Sequence, residues 1–138
     1  MTVLDVSRAA LDRARARLGA AASVPRWLEA DVTGDWQTDP VDFWHDRAVF
    51  HFLTDSADRA SYQRHLAATV KPGGHVIVAT FAADGPERCS GLPVVRYSPE
   101  ALAHEFRDHA TQIRTVAERH LTPTGGVQTF SYSLMMVR

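Results

Sequence analysis

The chain has 138 residues, 45% hydrophobic and 9% aromatic, which suits one folded domain with its own core and is too apolar for a disordered chain. Its formal net charge of −1 gives no global pull toward nucleic acid or an anionic membrane. Cys89 is the only cysteine, so neither an intrachain disulfide nor a multi-cysteine zinc site can form. No stretch approaches the ~20 apolar residues of a membrane span. Met1–Asp5 lacks the basic start and apolar run of a signal peptide, so a soluble, cytoplasmic protein is expected.

The turn signals divide the chain into alternating strands and helices. Thr2–Leu4 is a short apolar strand that stops at Asp5. Ser7 is a good N-cap for a helix running to Leu18, with Ala10, Leu11, Ala14 and Leu18 on one face and Gly19 as its stop. A second strand is expected at Arg26–Glu29, ending in Ala30-Asp31-Val32, and a third at Val41–His45. The third leads into the apolar, partly helical run Asp46–Leu53. A helix from about Ser56 to Val70 stacks Tyr62, Leu66 and Val70, and Lys71-Pro72-Gly73-Gly74 reads as the turn that ends it. Val76–Thr80 is continuously apolar, as in a strand buried on both faces.

Ala82–Tyr97 reads as a long irregular loop of the kind that often carries function. Ser98-Pro99-Glu100 is a helix start: cap, Pro at the first position, then an acid near the positive end of the dipole. Leu102 and Phe106 mark that helix's buried face. Ile113–Leu121 is β-prone, Thr122–Gly126 is a turn, and Phe130, Tyr132, Leu134 and Met136 alternate at period two. The series predicts a three-layer α/β fold ending in an antiparallel hairpin, over a single domain of residues 1–138.

These landmarks, in this order, resemble the class I S-adenosylmethionine-dependent methyltransferases, in particular a bacterial small-molecule branch. The resemblance rests on Thr2–Ser7, Glu29–Val32, Trp44–Leu53, Lys71–Gly74, Asp84–Tyr97 and the terminal hairpin. It implies a Rossmann-like sheet read from its second strand onward, truncated before the family's first strand and glycine-rich turn. Without that first strand, Thr2–Leu4 is expected to lie directly beside Val41–His45, or beside another chain.

The resemblance implies S-adenosylmethionine as cofactor, held weakly or not at all without the glycine-rich turn. Asp5, followed by Val6, would take the ribose hydroxyls; its residue-level alternative is a helix-entry acid beside Ser7. Asp31 would take the adenine amino group and Val32 would pack the ring; the alternative is an Asx turn into Thr33-Gly34. The segment with His45, Asp46, Arg47, Phe50 and His51 would lie against the methionyl end and the methyl acceptor. Methyl transfer from a sulfonium needs alignment and, where the acceptor is protonated, a base. His45, Asp46 and His51 are therefore the catalytic candidates, against the alternatives of a backbone-bonded histidine and a loop-stabilising Asp46–Arg47 pair. Arg47, Phe50, Arg96 and Tyr97 are the acceptor-pocket candidates, and Cys89 reads as a small apolar residue.

No H-E-x-x-H or G-x-S-x-G pattern occurs, and no metal is expected. The readings that stand are methyl transfer to a small molecule, a non-catalytic or vestigial binding or assembly module of the same fold, and a different, hydrolytic activity of the His45–Asp46–His51 cluster. A missing strand leaves open edges and a bare sheet face, which predicts a homodimer through Val3, the Ser7–Leu18 helix and Val41–His45.

Overall fold

The computed structural model describes residues 1–138. They fold as two compact units, Met1–Asp39 and Pro40–Arg138.

The first unit is a strand–helix–strand element. Strand β1 (Thr2–Asp5) runs parallel to β2 (Arg26–Glu29), from Thr2 opposite Arg26 to Asp5 opposite Glu29. A parallel pair requires a crossover, and helix α1 (Arg8–Leu18) supplies it. Ser7 caps this helix by accepting the Ala10 N–H at 3.2 Å. Gly19 ends it at φ +54°, a conformation that favours glycine, with its N–H on the Arg15 carbonyl. Of the expected apolar face only Leu11 is buried.

The second unit holds a four-stranded sheet. Strands β3 (Val41–Arg47) and β4 (Val70–Phe81) are parallel. They are joined by α2 (Ser56–Thr69), whose N-cap Asp55 accepts the Ala57 N–H at 2.7 Å. After β4 the chain forms a two-residue-per-strand hairpin, β5 (Arg88–Cys89) and β6 (Leu92–Pro93), inside the segment expected to be irregular. Helix α3 (Pro99–Phe106) follows, capped by Ser98 as predicted, and then the long hairpin of β7 (Ala110–Leu121) and β8 (Val127–Val137). The sheet order is β3-β4-β8-β7, with β8 antiparallel to both neighbours.

Two expectations are corrected. The Thr2–Leu4 strand does not pair with Val41–His45: β1 bonds only β2, and β3 bonds only β4, in separate sheets. Lys71–Gly74 is not a turn between helix and strand but lies within the span of β4. Val41 faces Val70 and then Phe43 faces His75, so these four residues bulge out of the ladder.

Alternation gives the second sheet two unlike faces. One carries Val76, Val78 and Thr80 opposite Met135, Ser133 and Ser131, all buried. Tyr62 and Leu66 of α2 and Leu102 and Phe106 of α3 are buried with them. The small Ser131 and Ser133 let the helices approach, and Gln112 ties the two layers, donating to the Pro99 carbonyl (3.0 Å) and the Ser133 hydroxyl (2.8 Å). The other face carries Phe43, Val116 and Met136, which stay 52%, 48% and 42% exposed. The apolar alternation Phe130–Met136 thus belongs mostly to the less covered face, while its serine-bearing complement lies under the helices.

Candidate functional site

In open α/β sheets ligands bind outside the carboxyl ends of parallel strands. In the first unit those ends are adjacent: the Ala30 N–H bonds the Asp5 carbonyl at 3.1 Å. The Asp5 carboxylate accepts the Ser7 N–H on Oδ1 at 2.7 Å and leaves Oδ2 without a partner. Asp31 accepts the Thr33 N–H (2.8 Å) and hydroxyl (2.7 Å), both on Oδ1, so its Oδ2 is uncommitted too. The backbone bond from Thr33, reinforced by its hydroxyl, lowers the Asp31 pKa and keeps it ionised. Beside these acids, Val6 is 71% exposed. Val32 is half-buried, and its carbonyl accepts the Trp36 indole N–H at 3.0 Å. The Asx turn and the helix-entry bond read from the sequence are both formed, and each leaves one acid oxygen without a partner.

In the second unit the candidates separate. Alternation along β3 sends His45 and Arg47 to one face and Asp46 to the other. His45 is exposed and makes no side-chain hydrogen bond. Arg47 donates its Nε–H to the Tyr132 hydroxyl at 2.8 Å, lies over the Phe130 ring at 4.2 Å and stands 3.8 Å from Glu118. It spans the sheet to β8 and β7, and forms no pair with Asp46.

Asp46 is buried. Its Oδ1 accepts the Val49 N–H at 3.0 Å, and its Oδ2 accepts the Phe50 N–H at 3.1 Å and the Tyr62 hydroxyl at 2.7 Å. Burial raises its pKa to about 6 despite these three bonds. His51 is fully buried, and its Nδ1 accepts the Phe81 N–H at 3.2 Å. The neutral ring therefore carries its proton on Nε2, which has no hydrogen-bond partner. Burial lowers the His51 pKa to about 4.

The cluster expected from sequence is thus not joined: no hydrogen bond links His45, Asp46 and His51, and the one basic nitrogen of His51 is already occupied. No group of three or more His, Cys, Asp or Glu side chains is placed to hold a metal ion.

Phe50 and Tyr97, expected at an acceptor pocket, are core residues, 0% and 3% exposed. Phe50 sits among Tyr62, Tyr97 and Phe106 at ring separations of 5.0, 5.6 and 4.9 Å. Burial pushes the Tyr97 hydroxyl up to about 12. Arg96 is bound to the Gly85 carbonyl (3.1 Å) and to Glu87 (3.3 Å). The residues that sequence reasoning missed are Tyr62, which completes the Asp46 site, and Tyr132, which holds Arg47. Tyr62 stood on a predicted buried helix face, but nothing in a period-3.6 pattern pairs it with an acid sixteen positions earlier.

No protein-family profile and no curated protein sequence matches the chain. Solved structures do. The N-methyltransferase NodS of Bradyrhizobium japonicum superposes with a TM-score of 0.77 at 16% identity, over 99% of this chain and 72% of its own. The 1,6-didemethyltoxoflavin N1-methyltransferase of Burkholderia thailandensis gives 0.72 at 19%, over 99% and 60%. An S-adenosylmethionine-dependent methyltransferase of Clostridium acetobutylicum gives 0.74 at 12%, over 98% and 74%.

The chain has the class I S-adenosylmethionine-dependent methyltransferase fold. It spans between about three fifths and three quarters of the length of these three neighbours. No helix is long and apolar enough to cross a membrane.

Proposed function

We propose that the chain, residues 1–138 serving as one methyltransferase-type domain, takes part in methyl transfer from S-adenosylmethionine to a small molecule in the cytoplasm. The observation that carries this reading is the pair of carboxylates at the adjacent carboxyl ends of β1 and β2, each with one uncommitted oxygen. Asp5 accepts the ribose hydroxyls there. Asp31, held ionised by Thr33, accepts the adenine amino group, and Val6 and Val32 supply the apolar wall. When bound, the cofactor supplies a methyl group activated on a sulfonium.

What the chain adds to the transfer is alignment and a proton acceptor. His45, exposed and uncommitted, takes the proton that an acceptor loses, and Arg47 is the fixed cation of the same sheet face. Asp46, Phe50 and His51 maintain the turn beyond β3, and Arg96 and Tyr97 hold the segment that leads into α3.

The test is calorimetric titration with S-adenosylmethionine and S-adenosylhomocysteine. Both are expected to bind, and Asp5→Ala is expected to lose about ten- to a hundredfold in affinity, the worth of one or two charge-assisted hydrogen bonds. Equal affinity in wild type and Asp5→Ala would place the ligand elsewhere. Tritium transfer from labelled S-adenosylmethionine to a panel of small thiols, amines and phenols then reads the acceptor class.

Self-association belongs to the same reading. Strands β1 and β3 each have one unpaired edge, and Phe43, Val116 and Met136 are exposed apolar residues on one sheet face. Such edges and faces favour a partner, and a second copy is the commonest one. A homodimer through Val3, α1 and β3 is expected, with light scattering at micromolar concentration giving twice the chain mass. A monomer whose Tm is independent of concentration would refute it.

A further inference from the structure

The bonds around Asp46 do more than satisfy a buried charge. Trp44, two residues earlier on the same strand face, donates its indole N–H to the Tyr62 hydroxyl oxygen at 2.9 Å. The only hydroxyl proton of Tyr62 therefore points at Asp46 Oδ2, 2.7 Å away. With that oxygen held from α2, the carboxylate closes a tight reversal: Oδ1 on the Val49 N–H and Oδ2 on the Phe50 N–H.

Between acid and amides, Ala48 is driven to φ +64°, a left-handed conformation that costs a non-glycine residue of order 1 kcal/mol or more. Its N–H is fastened to the Ala79 carbonyl at 2.9 Å. The turn then delivers His51 to the Phe81 N–H at 3.2 Å. The His51 carbonyl in turn accepts the Val95 N–H at 2.8 Å. One carboxylate thus sets the path of the chain at the carboxyl ends of both β3 and β4, where an open α/β sheet does its chemistry.

We infer that Asp46 is a positioning residue for the transfer step, acting through the Arg47–His51 turn and not as an acid or base. The role rests on the methyl-transfer reading above. Transfer from an activated donor depends mostly on alignment, and a shift of about 1 Å in the groups that align it can cost on the order of a hundredfold in rate. Asn in place of Asp46 keeps the size, but it turns one of the two oxygens into a donor facing a backbone N–H. Ala in place of the fully buried Met135 of β8 removes core volume and leaves all three Asp46 bonds.

The two variants separate alignment from bulk stability. Asp46→Asn is expected to lower kcat on the acceptor panel about a hundredfold, with the KM for S-adenosylmethionine within threefold. It should speed hydrogen exchange at the Val49 and Phe50 amides and move the 15N signals of the His51 ring. Met135→Ala is expected to lose stability yet keep kcat within about fivefold and the His51 signals in place.

Rates that fall in proportion to stability in both variants would reduce Asp46 to a structural residue and overturn the proposal. So would Val49 and Phe50 amides as protected in Asp46→Asn as in the wild type, whatever the wild type transfers. A wild type that binds neither S-adenosylmethionine nor S-adenosylhomocysteine would instead overturn the functional reading, and this role with it.

Discussion

Phe50→Ala is expected to destabilise the chain by about 3–5 kcal/mol, the range for removing a fully buried aromatic side chain. The ring is 0% exposed and stands 5.0 Å from Tyr62, 5.6 Å from Tyr97 and 4.9 Å from Phe106. These neighbours come from three segments of the second unit: α2, the residue before the Ser98 cap, and α3. They cannot all collapse into the space without dragging their backbones, so most of the cavity should persist. Val49→Ala, one residue earlier and 42% exposed, should cost less than about 1 kcal/mol. Urea denaturation of both variants measures the contrast. Similar losses at the two positions would mean that Phe50 is not the hub of this core.

The same residue shows how far the sequence was legible. The run Ala48–Leu53 is apolar but for His51, so no period distinguishes the residue that faces the core from the one that faces a ligand. Tertiary packing decides it: Phe50 goes under α2 and α3, and Val49 stays outside. Where the signals were local they translated directly into structure. Ser7, Ser98 and Gly19 set the ends of α1 and α3 because a cap needs only its own few neighbours. Lys71–Gly74 misled for the opposite reason. Pro and two glycines are punctuation in any local reading, but ladder bonds on both sides carry the strand through them as a bulge.

The positions of the candidate residues were legible to a similar depth. Asp5 and Asp31 stand where the strand ends predicted, because a strand's carboxyl end is fixed by the strand itself. His45, Asp46 and His51 looked like a cluster because they are close in sequence. Along an extended strand, however, neighbours point to opposite faces, and His45 is parted from Asp46 by that rule alone. The partners that define Asp46, Tyr62 and the Val49 and Phe50 amides, depend on a left-handed residue at Ala48 that its side chain does not advertise.

Asp46→Asn and His51→Asn are expected to tilt the pH dependence of stability in opposite directions. Burial raises the Asp46 pKa from 3.8 to about 6 and lowers that of His51 from 6.5 to about 4. For Asp46 the folded value lies above the unfolded one. Its contribution is present below about pH 4 and is lost as pH rises through about 6. For His51 the folded value lies below the unfolded one. Its contribution is present above pH 6.5 and is lost as pH falls through about 4. Each difference corresponds to roughly 3 kcal/mol. Because the two act over the same window with opposite sign, they largely cancel in the wild type between about pH 4 and 6.5. Asp46→Asn leaves His51 unopposed, so stability should drop by up to roughly 3 kcal/mol on acidification across that window. His51→Asn keeps an acceptor for the Phe81 N–H and leaves Asp46 unopposed, so stability should drop instead as pH rises from 4 to 6. The double variant should return to the wild-type slope, since the groups common to all four proteins form a shared background. Denaturant midpoints at four or five pH values across the window measure all four slopes. Parallel slopes in the two single variants would mean that at least one of these side chains titrates as it does in water.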